Sequence, residues 1–312
     1  MDEFSFLPAQ AVELGVAVPP VRRLTHDLSD GRTVSALQYG DADTGEFPPP
    51  VVTLLHGAGL NAHTWDVTVL ALGLPALAID LPGHGDSSWR DDAAYTGRAL
   101  AADVAGAIAA WTDAPQTLVG QSLGGLTAAA LAASHPELVR RLVVVDITPG
   151  IAPDGGAASL LAFYAGPADW ASRDELVERA LSFGLGGTRA AATRGVFHNS
   201  RERADGRVEW KHHFARIAHA AAADPAVAAA AAAEQSVLRD ALAASGWDDL
   251  ATVRAPITLV RAERGFVTPT DVEDFAVRVP AASVIIVDSG HNVQEDRAAE
   301  LAQIIAAVAR NS

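Results

Sequence analysis

Cysteine is absent from the 312 residues, methionine occurs once, and lysine occurs once, as Lys211. Each absence removes a chemistry. Without a thiol there is no cysteine nucleophile, disulfide, thiolate zinc site or iron–sulfur cluster. A lone lysine far from any glycine-rich loop leaves no P-loop. Basic residues number 23 against 38 acidic ones, a net charge of −15. Phosphate backbones and anionic membranes need clustered cations, so neither nucleic acid nor a membrane surface is expected as a partner. No run of about 18 strongly apolar residues occurs, so no membrane span is expected. The alanine-rich segment from Ala220 to Ala233 is interrupted by Asp224 and Pro225 and reads as helix. The start, MDEFSFLPAQ, has no basic region ahead of an apolar stretch, so the expected location is cytoplasmic.

What is present is the composition of a globular chain, 49% hydrophobic and 20% charged. Two strand-like runs, 21–28 and 33–39, flank a turn at Ser29-Asp30-Gly31. Val51–Leu55 is apolar on both faces, as a strand covered by helices on both sides should be. Helix 64–72, strand 76–80, helix 94–111, strand 117–120, helix 123–134 and strand 142–145 follow. That alternation predicts a mostly parallel α/β sheet. The rhythm stops between Thr148 and about Trp247, where helical stretches are expected near 173–183 and 210–242. It resumes with strand 257–261, helix 270–279, strand 283–287 and helix 295–310. The expected division is core 1–149, a helical cap or lid 150–247, and core 248–312.

The strongest chemical signal is Gly120-Gln121-Ser122-Leu123-Gly124, between a strand and a helix. In such a nucleophile elbow small residues let strand and helix approach while a sharp turn exposes the serine hydroxyl. Serine needs a neighbouring base. His291, in Asp288-Ser289-Gly290-His291-Asn292-Val293, follows the last strand and falls at the same sheet edge. An oxyanion requires two donors, and the N–H groups of Leu123 and, from His56-Gly57-Ala58-Gly59, of Ala58 are the candidates. His56, Gly57, Gln121 and Trp210 are expected around the substrate.

His56-Gly57, Asp80-Leu-Pro-Gly-His-Gly-Asp-Ser87, Gly120-Gln-Ser-Leu-Gly124 and Ser289-Gly-His291, in this order, resemble the α/β-hydrolase superfamily. The resemblance implies an eight-stranded sheet, a helical cap and serine hydrolase chemistry without a cofactor or metal. It also implies that Asp80, His84 and Asp86 are scaffold. Many relatives carry the triad acid soon after the seventh strand, in G-x-x-D; here that stretch is Ala262-Glu263-Arg264-Gly265, with glycine in the acid's place. The candidate acid is therefore Asp146, in Val145-Asp146-Ile147-Thr148-Pro149, which resembles a branch of small acyl esterases whose acid follows strand six. Glu263 is the alternative, and Asp271 reads as a first-turn helix acid.

The implied activity is cleavage of a small to medium carboxylic ester, with a small-molecule acyl compound as substrate. Rivals on the same triad are carbon–carbon bond or lactone hydrolysis, for which cap arginines such as Arg201, Arg203 or Arg207 would bind a carboxylate, and acyl transfer to peroxide. A non-catalytic ligand receptor is the rival of another class. His198, His212, His213 and His219 lie in the expected cap without an HExxH motif, and are read as pocket-wall or surface residues. Gly184-Leu-Gly186-Gly187 lacks the strand and acid of a dinucleotide fingerprint.

Overall fold

A computed structural model of the chain describes residues 2–151, 163–164, 166–223 and 245–310. Eight strands form one sheet: β1 (Val21–Asp27), β2 (Thr33–Tyr39), β3 (Val52–Leu55), β4 (Ala76–Asp80), β5 (Gln116–Gln121), β6 (Val139–Val145), β9 (Ile257–Arg264) and β10 (Ser283–Gly290). Their order is β1-β2-β4-β3-β5-β6-β9-β10, with β2 antiparallel to both neighbours and every other pair parallel.

Period-two alternation sends side chains to two apolar layers. Leu55, Leu118 and Val144 pack on one face with helices α3 (Gly97–Trp111) and α4 (Leu123–Ser134). Leu54, Val119 and Val145 pack on the other with α2 (Asp66–Leu72) and the C-terminal α10 (Ala298–Arg310). Helix α1 (Leu7–Leu14) adds Leu7 and Ala11 against Leu70. Caps fix several starts: the Thr96 hydroxyl accepts from the Ala99 N–H, and Thr268 forms a capping box with Asp271 on α8 (Pro269–Arg278). No helix among the described residues is long and apolar enough to cross a membrane.

Between β6 and β9 the chain leaves the sheet. The described residues there form α5 (Arg173–Ser182), α6 (Arg189–Asn199), a hairpin of β7 (Ser200–Glu202) and β8 (Val208–Trp210), and α7 (His213–Ala223). They enclose an apolar cluster of their own, including Phe163, Leu176, Val196 and Trp210. They touch the N-terminal segment, where Phe6 packs on Phe197, and the loops leaving the C-terminal ends of β3 and β4: His213 N–H donates to Gly83 O at 2.8 Å, and Asn61 Nδ2 donates to Asn199 Oδ1 at 2.6 Å.

Several local expectations change. The insertion is not wholly helical, because Ser200–Glu202 pairs with Val208–Trp210, so the helix expected from Trp210 starts at His213. The rest of that expected helix lies outside the described residues. Residues 245–252 are helical and already pack on the core, through Leu250 and a Trp247–Phe275 contact at 6.2 Å. The expected C-terminal helix is two, α9 (Val293–Asp296) and α10, separated at Arg297.

Candidate active site

Ser122 sits between β5 and α4 with φ 52 and ψ −120, a conformation that costs a non-glycine residue free energy. The turn is held by Ser122 N–H donating to Val145 O at 3.1 Å, and by the N–H of Gly125 donating back to Ser122 O at 2.8 Å. Glycine is required on both sides for space. A Cβ on Gly120 would lie 2.2 Å from Gly124 O, and one on Gly124 would lie 2.2 Å from Leu55 O. The Ser122 hydroxyl takes part in no hydrogen bond among the described residues, and α4 begins at once with Leu123.

His291 follows β10 directly. Its Nδ1 donates to Asp146 Oδ2 at 2.7 Å, which leaves Nε2 as the free, basic nitrogen. Asp146 is fully buried at the end of β6, with φ 49. Its carboxylate also accepts from the N–H groups of Ala262 (3.0 Å) and Phe266 (2.7 Å), so the loop after β9 wraps it. The place where many relatives carry their acid is taken: a Cβ on Gly265 would stand 2.0 Å from Asp146 Oδ2. Glu263, the alternative acid, is exposed at the end of β9 and makes no contact with His291 among the described residues. Asp271 is spent in the capping box of α8.

Gln121 ties serine and histidine loops together, its Nε2 donating to His291 O at 3.3 Å. Gly57 makes room for that side chain, since a Cβ there would lie 2.2 Å from Gln121 Oε1. The N–H groups of Leu123 and Ala58 donate to no acceptor among the described residues.

Two residues expected around the substrate are buried among protein side chains. His56 is fully buried; its Nδ1 donates to Gly57 O at 2.8 Å and its Nε2 accepts from Leu81 N–H at 3.0 Å, making it a strut between two loops. Burial lowers its pKa and keeps it neutral. Trp210 is buried inside the insertion, 5.4 Å from the Phe163 ring. Asp80 acts as scaffold, accepting from Ala62 N–H (2.7 Å), Asp86 N–H (3.1 Å) and Arg23 Nη1 (2.7 Å).

Two aromatic residues adjoin the site. Phe266 stacks on the His291 imidazole, centroids 3.6 Å apart at 15°. Tyr164, from the insertion, hangs over the loop after β3, so that a Cβ on Gly59 would lie 1.8 Å from its hydroxyl. No local pattern marks Phe266. Three of the insertion's arginines are committed: Arg201 pairs with Glu209, Arg203 with Asp169 and Asp205, and Arg207 with Asp169.

The alpha/beta hydrolase family matches residues 54–304. The esterase Rv0045c of Mycobacterium tuberculosis is 33% identical over 326 residues, covering 99% of this chain and 96% of that one. A solved structure of that esterase, described together with its transition-metal inhibition, superposes with a TM-score of 0.80 at 32% identity, covering 100% of this chain and 99% of the other. A pimeloyl-(acyl-carrier protein) methyl ester esterase of Neisseria meningitidis is 45% identical over 93 residues, 29% of this chain and 34% of that protein.

Proposed function

The chain belongs to the alpha/beta hydrolase family, and from that premise we propose that it hydrolyses small to medium carboxylic esters through Ser122, His291 and Asp146. The observation that carries the proposal is the 2.7 Å hydrogen bond from His291 Nδ1 to buried Asp146, on a loop that Gln121, next to the strained Ser122, ties down by donating to His291 O at 3.3 Å. It fixes the imidazole tautomer and leaves Nε2 to act as base. The similarity along almost the whole length to a mycobacterial esterase supports the same reading.

His291 Nε2 takes the Ser122 proton as Oγ bonds to the ester carbonyl carbon. The N–H groups of Leu123 and Ala58 receive the oxyanion, and each such donor is worth about 10²–10³ in kcat. The carbon–oxygen bond to the alcohol then breaks, and His291 returns the proton to the departing oxygen. Water, deprotonated by His291, attacks the acyl-serine and frees the acid. Asp146 stabilises the imidazolium.

A neutral ester fits better than a carboxylate-bearing substrate, because Arg201, Arg203 and Arg207 already face acids of the insertion. In this reading the insertion is the cap, and Tyr164 is its side chain over the oxyanion loop. The charge of −15 speaks against nucleic acid as a partner. A cytoplasmic setting remains an expectation of the sequence. The test is turnover of p-nitrophenyl esters from acetate to octanoate by the wild type and by Ser122→Ala. Turnover that disappears in the variant is the expected result; a folded wild type that cleaves none of them, or an undiminished variant, contradicts the proposal.

A further inference from the structure

Away from Ser122, the seam between sheet and insertion buries a second group of polar side chains that ester hydrolysis does not use. His63, on the turn after β3, Asp66, at the start of α2, and His198, near the end of α6, offer ligand atoms that all lie within 4.8 Å of one another. All three residues are buried. His63 Nδ1 pairs with Asp66 Oδ2 at 3.0 Å, and its Nε2 faces Glu3 Oε2 at 3.3 Å. The His198 ring stacks on that of His63, centroids 3.8 Å apart. His198 is only 5% exposed, yet its Nε2 has no hydrogen-bond partner among the described residues. A buried nitrogen left unpaired is costly and rare in folded proteins. A cavity of about 190 Å³ opens beside the group, with Glu3, His63 and His198 on its wall.

The charges around the group are unbalanced. Four carboxylates, Glu3, Asp66, Asp80 and Asp86, are joined in one network with only two fixed cations, Arg23 and Lys211. Before any histidine proton is counted, two negative charges are left over, which a dication would neutralise. At the outer rim Arg173 lies over the Phe197 ring and Arg201 is paired with Glu209, so neither faces the network unpaired.

We propose that His63, Asp66 and His198 bind a divalent transition-metal ion such as Zn²⁺ or Co²⁺ at the seam, with Glu3 on the far nitrogen of His63 orienting the imidazole. Two imidazoles with a carboxylate and no thiolate suit these ions, whereas Mg²⁺ and Ca²⁺ ask for six or more oxygen ligands. Bonds of about 2.0–2.1 Å in a tetrahedron put donors about 3.4 Å apart. The donors must therefore close by about 1 Å, and the His198 ring must turn out of its stack; no hydrogen bond at its Nε2 resists that turn. The bound ion, with Glu3 behind His63, would join the N-terminal segment, the loop after β3 and α6. The same three parts already meet through the Phe6–Phe197 contact at 5.4 Å and the Asn61–Asn199 bond.

The site is tested by binding, independently of ester turnover. The chelator-treated full chain is titrated with Zn²⁺, Co²⁺ and Mg²⁺ by calorimetry, and the Co²⁺ complex is followed by visible absorption. One equivalent of Zn²⁺ or Co²⁺, intense four-coordinate Co²⁺ bands and no Mg²⁺ binding are expected. His198→Phe keeps an aromatic ring in the stack and removes the nitrogen. It should weaken Co²⁺ at least about tenfold and abolish the metal-induced rise in Tm. Glu3→Gln, on a half-exposed side chain, gives the same comparison if His198→Phe does not fold. A wild type that binds no Co²⁺, binds it only with weak six-coordinate bands, or binds it as tightly as the variants do overturns the proposal.

Discussion

Replacing Gly265 by alanine places a methyl carbon 2.0 Å from Asp146 Oδ2 and 2.5 Å from its Cγ. Ordinary contact begins near 3.4 Å, so the carboxylate or the loop must give way by about 1.4 Å. Gly265 is not among the residues with positive φ, so the backbone itself accepts a side chain and the whole effect is steric. Either movement strains the bonds from Phe266 N–H and His291 Nδ1, both 2.7 Å. Overpacking of this kind costs about 1–3 kcal/mol of stability. A displacement of about 1 Å in a catalytic group costs about 10²-fold, and full loss of the triad acid's orientation about 10⁴-fold. Gly265→Ala should therefore lower kcat on a p-nitrophenyl ester by about 10² to 10⁴ with a modest fall in Tm. The reverse experiment uses the same geometry. Asp146→Ala alone should be severely impaired, and Asp146→Ala combined with Gly265→Asp should recover part of the lost rate, because the new carboxyl group enters the vacated space. A Gly265→Ala enzyme with wild-type kcat, or a double variant no faster than Asp146→Ala, would refute the reasoning.

Phe266→Leu removes the ring stacked on His291 while keeping an apolar side chain; kcat should fall about tenfold with KM little changed, and Phe266→Tyr should restore it. An unchanged kcat in the leucine variant would show that Asp146 alone orients the imidazole. Stability should also fall on acidification. Burial holds His212 down at about 3, and burial together with His56 and His212 holds His84 well below its ordinary value. The unfolded chain takes up these protons near pH 6.5 and the folded chain does not, so stability is full above that pH. It is lost at on the order of 1 kcal/mol per histidine for each pH unit below it. His212→Phe, at a site where neither ring nitrogen has a partner among the described residues, should flatten the fall in Tm between pH 6.5 and 5. Identical acid limbs in the two proteins would contradict this.

The parallel core was legible because its strands are short, apolar on both faces and bounded by glycine or proline; β4 and α4 stand where the residues predict. Ser122 and His291 stand out as candidates because a strand–turn–helix and a strand–loop–helix each demand particular residues at the turn. The candidate acid needed a different clue, the glycine at 265, whose meaning is spatial: Asp146 fills the volume a side chain there would occupy. The hairpin 200–210 was missed because Ser200–Glu202 and Val208–Trp210 are three residues each, too short for a period to register. Trp210 and His56 look like pocket residues in the sequence, where an aromatic ring or imidazole carries no sign of which side faces the protein. The His63–His198 contact joins residues 135 positions apart, and nothing local announces it.

In the proposed mechanism Ser122 is a nucleophile activated by His291. Fluorophosphonate labelling, read by intact mass and by mapping the modified peptide, tests it directly. One adduct per chain on Ser122, formed slowly or not at all in His291→Ala, is predicted. A folded wild type that stays unlabelled, or one labelled at another residue, would contradict the account.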